Sequence, residues 1–273
     1  MKLIGVFEDK QDNVQKYVFK DNLGTIEVSR INTKEDRDIY CVPSMYMCNL
    51  GCTFCHLTTE DIPGKATKID VETIIKVLGQ IPQIKPKRQI SIMGVGDPAL
   101  NQELVRALAA REELVSIATI FPDKLKGIPA NVKVHFSLHS TNSLNRRQMI
   151  PTSTLEIRDY LESLSKHRGK KEIHYTLIKD TNDSPEELES LVNYSTEFRI
   201  PIKFLKFNET GGMKESPKLE EWLHTLASVV PVETYRSPGI QIGSSCGAFT
   251  KHFYTKDGID SPEYKEYAKN FKI

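Results

Sequence analysis

Four of the five cysteines of this 273-residue chain fall in one segment, CVPSMYMCNLGCTFC, from Cys41 to Cys55. Cys48, Cys52 and Cys55 follow the spacing C-x3-C-x2-C. Cys41 stands seven residues before Cys48, and Cys246 lies far downstream in SSCGAF. Three thiolates on a short loop can ligate three irons of a cubane 4Fe-4S cluster. Such clusters normally take four, so three leave one iron open to a non-protein ligand. Zinc is the competing occupant. It favours C-x2-C pairs with a fourth Cys or His, and His56 could complete such a site. Three unrelated buried thiols are the remaining reading. An odd cysteine count argues against a purely disulfide framework.

A second motif, MGVGDPALN (Met93 to Asn101), carries two glycines and a carboxylate. Gly94 and Gly96 allow the backbone to approach a ligand closely. Asp97 offers a carboxylate to an ammonium group. His139, in FSLHSTNSLNRRQMIP (Phe136 to Pro151), ends an apolar run, whereas His135 and His174 read as structural.

Elements of alternating type must position these residues. The first forty residues read as β-structure broken by the turn clusters DKQDN and DNLG. Strands are then expected at 39–44, 89–93, 115–119, 132–138, 172–178 and 202–207. Amphipathic helices are expected at 71–80, 102–111, 155–167, 184–198 and 218–229. Ser184 and Ser216, each followed by proline, mark two helix starts. About six βα units in series imply an α/β fold with a parallel sheet, open or curled into a partial (βα)6 barrel. The C-x3-C-x2-C loop follows the first strand of that series, and the glycine motif follows the second. The expected organisation is a small β-rich N-terminal extension (1–38), the partial barrel (39–250) and a C-terminal tail (251–273).

Bulk properties narrow the class. Hydrophobic residues make up 39% of the chain and charged residues 27%, with a net charge of +1. These values suit a soluble globular protein without a global basic field. KPKR (85–88) and RGKK (168–171) are candidate local basic patches, with solvated loops the plainer reading. No apolar run reaches the ~18 residues of a membrane span, and the N-terminus is not a signal peptide. A cytoplasmic protein is expected, and there clustered thiols point to metal or catalysis.

The cysteine spacing at that βα position resembles the radical S-adenosylmethionine (SAM) superfamily, with Asp97 where its Gly-Glu-Pro motif carries Glu. Within it, six blocks resemble the RlmN/Cfr family of RNA adenine methyltransferases, in that family's order and over most of residues 26–249. They are the cysteine segment, MGVGDPALN, FSLHSTNSLNRRQMIP, IHYTLIKDTNDSPEE, FLKFNETGG and GSSCGAF. Three features depart from the pattern. The chain is too short for the family's helical N-terminal accessory domain, Ala118 stands where a SAM-contacting serine is usual, and Asp97 replaces Glu.

The resemblance implies a radical SAM methyltransferase that adds a methyl group to an adenine ring carbon of RNA, carbon-2 in preference to carbon-8. It implies a 4Fe-4S cluster on Cys48, Cys52 and Cys55, with two SAM molecules used per turnover. Gly96 and Asp97 would meet the methionine amino group of SAM. Ser137, Leu138 and His139 would lie near its ribose or methionine part, and Asn208 near its nucleoside. Cys246 would be methylated by one SAM, and a radical made from the second would remove hydrogen from that S-methyl group. The carbon radical would add to the adenine. Cys41 would release the adduct through a transient disulfide with Cys246, and Glu27 would accept the proton. Implied partners are ribosomal or transfer RNA and a flavodoxin- or ferredoxin-type electron donor, with the enzyme a monomer. Two other readings stand beside this one. One is an enzyme of the same fold acting on DNA, a nucleotide, a peptide or a small metabolite. The other is an iron–sulfur or redox-sensing module without turnover.

Overall fold

The strands lie side by side in the order in which the chain makes them, in one ten-stranded sheet. The computed structural model describes residues 1–59 and 66–244. β1 (Lys2–Asp9), β2 (Val14–Lys20) and β3 (Thr25–Asn32) form an antiparallel meander, and β4 (Arg37–Val42) pairs antiparallel with β3. From β4 onward every pairing is parallel, through β5 (Lys87–Ile92), β6 (Leu114–Thr119), β7 (Val132–Ser137), β8 (Lys171–Thr176), β9 (Ile202–Leu205) and β10 (Val232–Tyr235). The helices are α1 (His56–Thr59), α2 (Val71–Leu78), α3 (Gln102–Ala109), α4 (Ser143–Met149), α5 (Ile157–Ser165), α6 (Pro185–Phe198) and α7 (Leu219–Ala227).

β1 and β10 occupy opposite ends of the sheet, so the fold is an open, partial barrel rather than a closed one. Residues 239–244 cross to the meander. Asp12 accepts from the Gly239 amide (2.8 Å), Lys16 donates to the Gly243 carbonyl, and Ser29 donates to the Ser244 carbonyl (3.3 Å).

Each strand and helix expected in the βα series is present, with ends displaced by at most two residues. Local chemistry accounts for the starts. Asp70 caps α2 by accepting from the Thr73 amide (2.8 Å), and Ser184 caps α6 with Pro185 at its first position. Ser216 does not cap α7, which begins three residues later, at Leu219. Its hydroxyl donates instead to Asp183 (2.6 Å) and accepts from the Lys218 amide. Two elements escape the pattern. α4 buries only Arg146 and Met149, so it carries no apolar stripe. β10 is a short edge strand with three exposed residues.

The parallel strands alternate, although buried parallel strands usually read as near-continuous apolar runs. Ile90, Ile92, Ile117, Val134, Phe136, Ile173, Tyr175 and Phe204 join the core with α-helical residues such as Leu104, Leu161 and Trp222. Their neighbours Gln89, Ser91, Ser116, Lys133, His135, His174 and Lys203 line a cavity on the other face.

Buried polar side chains fasten the successive strand ends on the cysteine-loop side. Asn101 donates to the carbonyls of Ser44 (2.9 Å) and Ile69 (2.8 Å), holding the exit from β4. Asp97, just past β5, accepts from Ala99 (2.8 Å), from the Thr119 hydroxyl (2.7 Å) and from the Ile120 amide (2.8 Å) at the end of β6. Arg146 donates to carbonyls of Ile120 (3.2 Å), Ser137 (3.0 Å) and Leu138 (3.0 Å), joining β6 to β7. His139 Nδ1 accepts from the Thr176 amide (3.1 Å), and Asn182 donates to the carbonyls of His139 and Thr176, joining β7 to β8.

These buried groups set measurable expectations for stability. Asp97→Ala leaves three donors without their acceptor and should lower unfolding stability by about 3 kcal/mol; a urea midpoint equal to wild type would contradict the tie. A second expectation concerns pH. Burial disfavours the imidazolium form and holds His139 and His174 at pKa values of about 3, with His135 lowered as well. In the unfolded chain histidine titrates near ~6.5. The unfolded state therefore binds more protons below that pH, and stability falls as pH drops from about 6.5. At pH 5, His139 and His174 should each cost about 2 kcal/mol. His139→Asn keeps an acceptor and tolerates the positive φ of 57°. It should flatten the dependence by about one proton, and an unchanged slope in denaturation between pH 7 and 5 would contradict this assignment.

Candidate active site

The cysteine loop begins where β4 ends, and its first residues pack on the glycine turn after β5. Ser44 and Met45 amides donate to the Val95 carbonyl (2.9 and 3.2 Å), and the Gly94 amide donates to Val42 (3.0 Å). A Cβ on Gly94 would come within 2.8 Å of Pro43 backbone atoms. One on Gly96, at φ +90°, would come within 2.5 Å of Met45 Cγ. The glycines thus permit loop to meet loop. Farther along, the Thr53 amide donates to the Met149 carbonyl (2.9 Å), seating the loop on the end of α4.

Cys48, Cys52 and Cys55 are free thiols, half-buried, and line one cavity of about 880 Å³. That volume is within the range of small-molecule sites. Burial pushes all three thiols up, and the neighbouring thiols Cys55 and Cys48 raise Cys52 further. Thiolates crowded this way call for bound cationic metal, which deprotonates a coordinating thiol outright. The one described set of three ligand atoms within 4.8 Å of one another is His135, Glu172 and His174. The cysteine sulfurs do not close onto a single-ion site, which suits a multi-iron cluster better than the zinc alternative.

The His135, Glu172 and His174 set is an ion-pair network on the cavity wall. Glu172 pairs with Lys133 and with Lys203 (3.0 Å), and Lys203 also reaches Glu233 (2.7 Å). Two ammonium groups at one carboxylate oppose an added cation. The sequence alone reads His135 and His174 as structural and does not single out Glu172, Lys133 or Lys203. Their signal was the regular insertion of charged and polar side chains into otherwise apolar parallel strands.

Cys41, Gly96, Asp97, Ser137, His139 and Asn208 line the same cavity as the three loop cysteines. Cys41 faces Ser29 on β3 and Ser91 on β5, and burial raises its thiol to about 11 despite the nearby Lys16 ammonium. Since its Nδ1 accepts a backbone N–H, neutral His139 carries its proton on Nε2. The Phe54 ring packs edge-on against it, centroids 4.9 Å apart.

Three of the expected site residues are placed differently from the others. Leu138 is fully buried in the core and does not line the cavity; its position next to Ser137 puts its side chain on the opposite face. Asp97 does not present an open carboxylate. Three of its roughly four acceptor sites serve Ala99 in its own turn and Thr119 and Ile120 at the end of β6. Glu27, the expected proton acceptor, is ion-paired away from the cavity. It lies diagonally across from Lys16 on β2, at 2.6 Å, with 11% of its side chain exposed, and is not among the cavity-lining residues. Cys246 lies outside the described residues, two positions beyond Ser244.

Among the described residues, no helix is long and apolar enough to cross a membrane. Residues 42–194 match the family model of the radical SAM superfamily. Among relatives, a dual-specificity RNA methyltransferase RlmN of Phenylobacterium zucineum is 27% identical over 76% of this chain and 62% of its own length. The RlmN of Marinobacter nauticus is also 27% identical, over 88% of this chain and 73% of its own length. A radical SAM methyltransferase from Sphaerobacter thermophilus superposes with a TM-score of 0.77 at 20% identity, covering 90% of this chain and 80% of that one. Streptococcus suis SuiB bound to S-adenosylmethionine gives 0.52 at 14% identity, covering 79% and 54%. At these identities the two structures establish likeness of fold. A 4Fe-4S cluster and SAM are the cofactors of this fold's chemistry, and three convergent thiols at the sheet's end beside a ligand-sized cavity fit them. The chain belongs to the radical SAM superfamily.

Proposed function

We propose that this protein methylates an adenine ring carbon of RNA, carbon-2 in preference to carbon-8, through an S-methylated cysteine. The observation that carries the reading is the position of Cys41. A generic radical SAM enzyme has no need of a fourth thiol, yet Cys41 lines the same cavity as the three loop cysteines. The segment leading to Cys246 returns to the strands beside it, with Ser29 facing Cys41 and bonded to the Ser244 carbonyl. Relatives that carry the name RNA methyltransferase RlmN support RNA as the substrate class. Ribosomal or transfer RNA, a flavodoxin- or ferredoxin-type reductant, a monomeric state and a cytoplasmic setting complete the proposal. The same reading takes 1–38 as an extension, 39–250 as the catalytic unit and 251–273 as a tail.

Cys48, Cys52 and Cys55 would hold the cluster, and Gly96, Asp97, Ser137, His139 and Asn208 would surround SAM. Asp97 would contribute through its one remaining acceptor site and by holding the turn. When bound, cluster and SAM together supply a carbon radical able to remove hydrogen from an unactivated methyl group. The residues of this chain divide the rest of the work. The Cys246 sulfur accepts a methyl group by displacement and carries it to the base. The adduct's unpaired electron would return to the cluster. Cys41 then attacks the Cys246 sulfur and forms a disulfide, and the departing carbon keeps the carbon–sulfur bonding pair and takes up a proton to become the methyl group. The disulfide must be reduced before another cycle. Glu27, fixed by Lys16, accepts the proton leaving the ring carbon.

Loss of Cys41 should stop the cycle at the covalent stage. Reconstituted Cys41→Ala, given SAM, reductant and RNA, should yield up to one equivalent of protein joined to RNA through Cys246 and no free methylated RNA. Cys246→Ala should give neither adduct nor methylated RNA. Denaturing electrophoresis with peptide mass spectrometry reads both. An active Cys41→Ala variant, or a Cys246 peptide that never gains a methyl mass, would defeat the proposal.

A further inference from the structure

Arg146 is a buried cation without a carboxylate. It sits on α4 with no exposed surface. Its N–H groups go to the carbonyls of Ser137 (3.0 Å), Leu138 (3.0 Å) and Ile120 (3.2 Å) and to the Ser153 hydroxyl, all neutral acceptors. Its guanidinium carbon lies 4.7 Å from the Tyr160 ring centroid and 5.2 Å from that of Phe136. No carboxylate oxygen of the described residues lies within the 4.0 Å of an ion pair with it. Burial lowers its pKa to about 10, so it stays charged at neutral pH. A buried charge left without a counter-charge is costly. One-sided clamping of carbonyls does not explain the choice of a charged group.

The missing counter-charge has a place. Three residues after Arg146 on α4, Met149 accepts the Thr53 amide at 2.9 Å, beside Cys52. Met149 belongs to the apolar cluster against which Cys48, Cys52 and Phe54 pack. Cys52 and Asp123, like the Tyr160 hydroxyl, lie within electrostatic range of the Arg146 guanidinium. A cluster held by three thiolates gains one negative charge when it takes up an electron, and nearby charge sets its potential. A fixed cation in a low-dielectric setting favours the more negative state.

We propose that Arg146 is a positioning residue that acts through its charge, its buried guanidinium behind Cys52 making the iron–sulfur cluster easier to reduce. The step is uptake of one electron from an external donor; no covalent bond forms or breaks. This rests on Cys52 being a cluster ligand. That premise fails separately, if Cys52→Ala retains a full complement of iron and sulfide.

The test is a redox titration of the anaerobically loaded full chain, poised with dithionite and followed by paramagnetic resonance. Iron, sulfide and thermal melting are measured for each variant. At the wild-type midpoint, Arg146→Gln should lower the reduced-to-oxidised ratio about tenfold, a midpoint lower by about 59 mV for a one-electron couple. Arg146→Lys, which keeps the charge and loses the fork, should stay closer to wild type. Asp123→Asn removes a negative charge and should move the midpoint upward. A folded, loaded Arg146→Gln with the wild-type midpoint overturns the proposal. So do equal shifts in Arg146→Gln and Arg146→Lys, because the effect would then follow the lost clamp. If both Arg146 variants fold without taking up cluster, the residue serves assembly and the proposal fails. If neither folds, Asp123→Asn decides, and an unmoved midpoint in that variant overturns it.

Discussion

The site depends on parallel strand ends being held in register by side chains rather than by the sheet alone. Backbone pairing stops at the last residue of each strand, yet the cavity wall continues past it. Asn101, Asp97, Arg146 and the His139–Asn182 pair carry the connection onward, from the exit of β4 to the end of β8. All five are buried, so each bond is made where water cannot substitute for a lost partner. The cysteine loop is thereby fixed to β5 through the glycine turn and to α4 through Met149. Three thiols on an otherwise irregular loop acquire defined positions because everything under them is tied.

The concave polar face is the second consequence of the alternation. A barrel filled with branched apolar residues has no room for a ligand. Here serines, histidines and lysines point inward, and apolar residues point to the helices. The Glu172 network lets charged groups occupy that interior without leaving a lone charge. The open edge between β1 and β10 is bridged by residues 239–244, which anchor to Asp12, Lys16 and Ser29. The same crossing brings Ser244, the end of the described chain, to Ser29, the residue that faces Cys41 across β3 and β4.

Much of this was legible before any coordinates. The βα rhythm, the C-x3-C-x2-C loop and the glycine turn each carry a local signature, and the sheet order follows from them. What stayed hidden required knowledge of partners. Asp97 reads as a ligand-binding carboxylate until Thr119 and Ile120 are seen to approach it. Leu138 shares a motif with Ser137 and His139, but a strand sends adjacent side chains to opposite faces. Ser216 has the composition of a helix cap, and Asp183, distant in sequence, claims its hydroxyl instead. α4 has no apolar period because its buried content is a guanidinium and one methionine. No propensity scale marks an arginine as a core residue, since its surroundings are assembled from β6, β7 and the cysteine loop only in the folded chain.

The central claim is radical methyl transfer to an RNA base at this cavity. The most direct measurement is nucleoside mass spectrometry of RNA incubated with the loaded, reduced protein and SAM bearing a deuterated methyl group. The account predicts methyladenosine whose new methyl carries two deuterium atoms, because one is removed while the carbon is still attached to Cys246. A methyl retaining all three, or release of deoxyadenosine with no modified adenosine in the RNA, would contradict it.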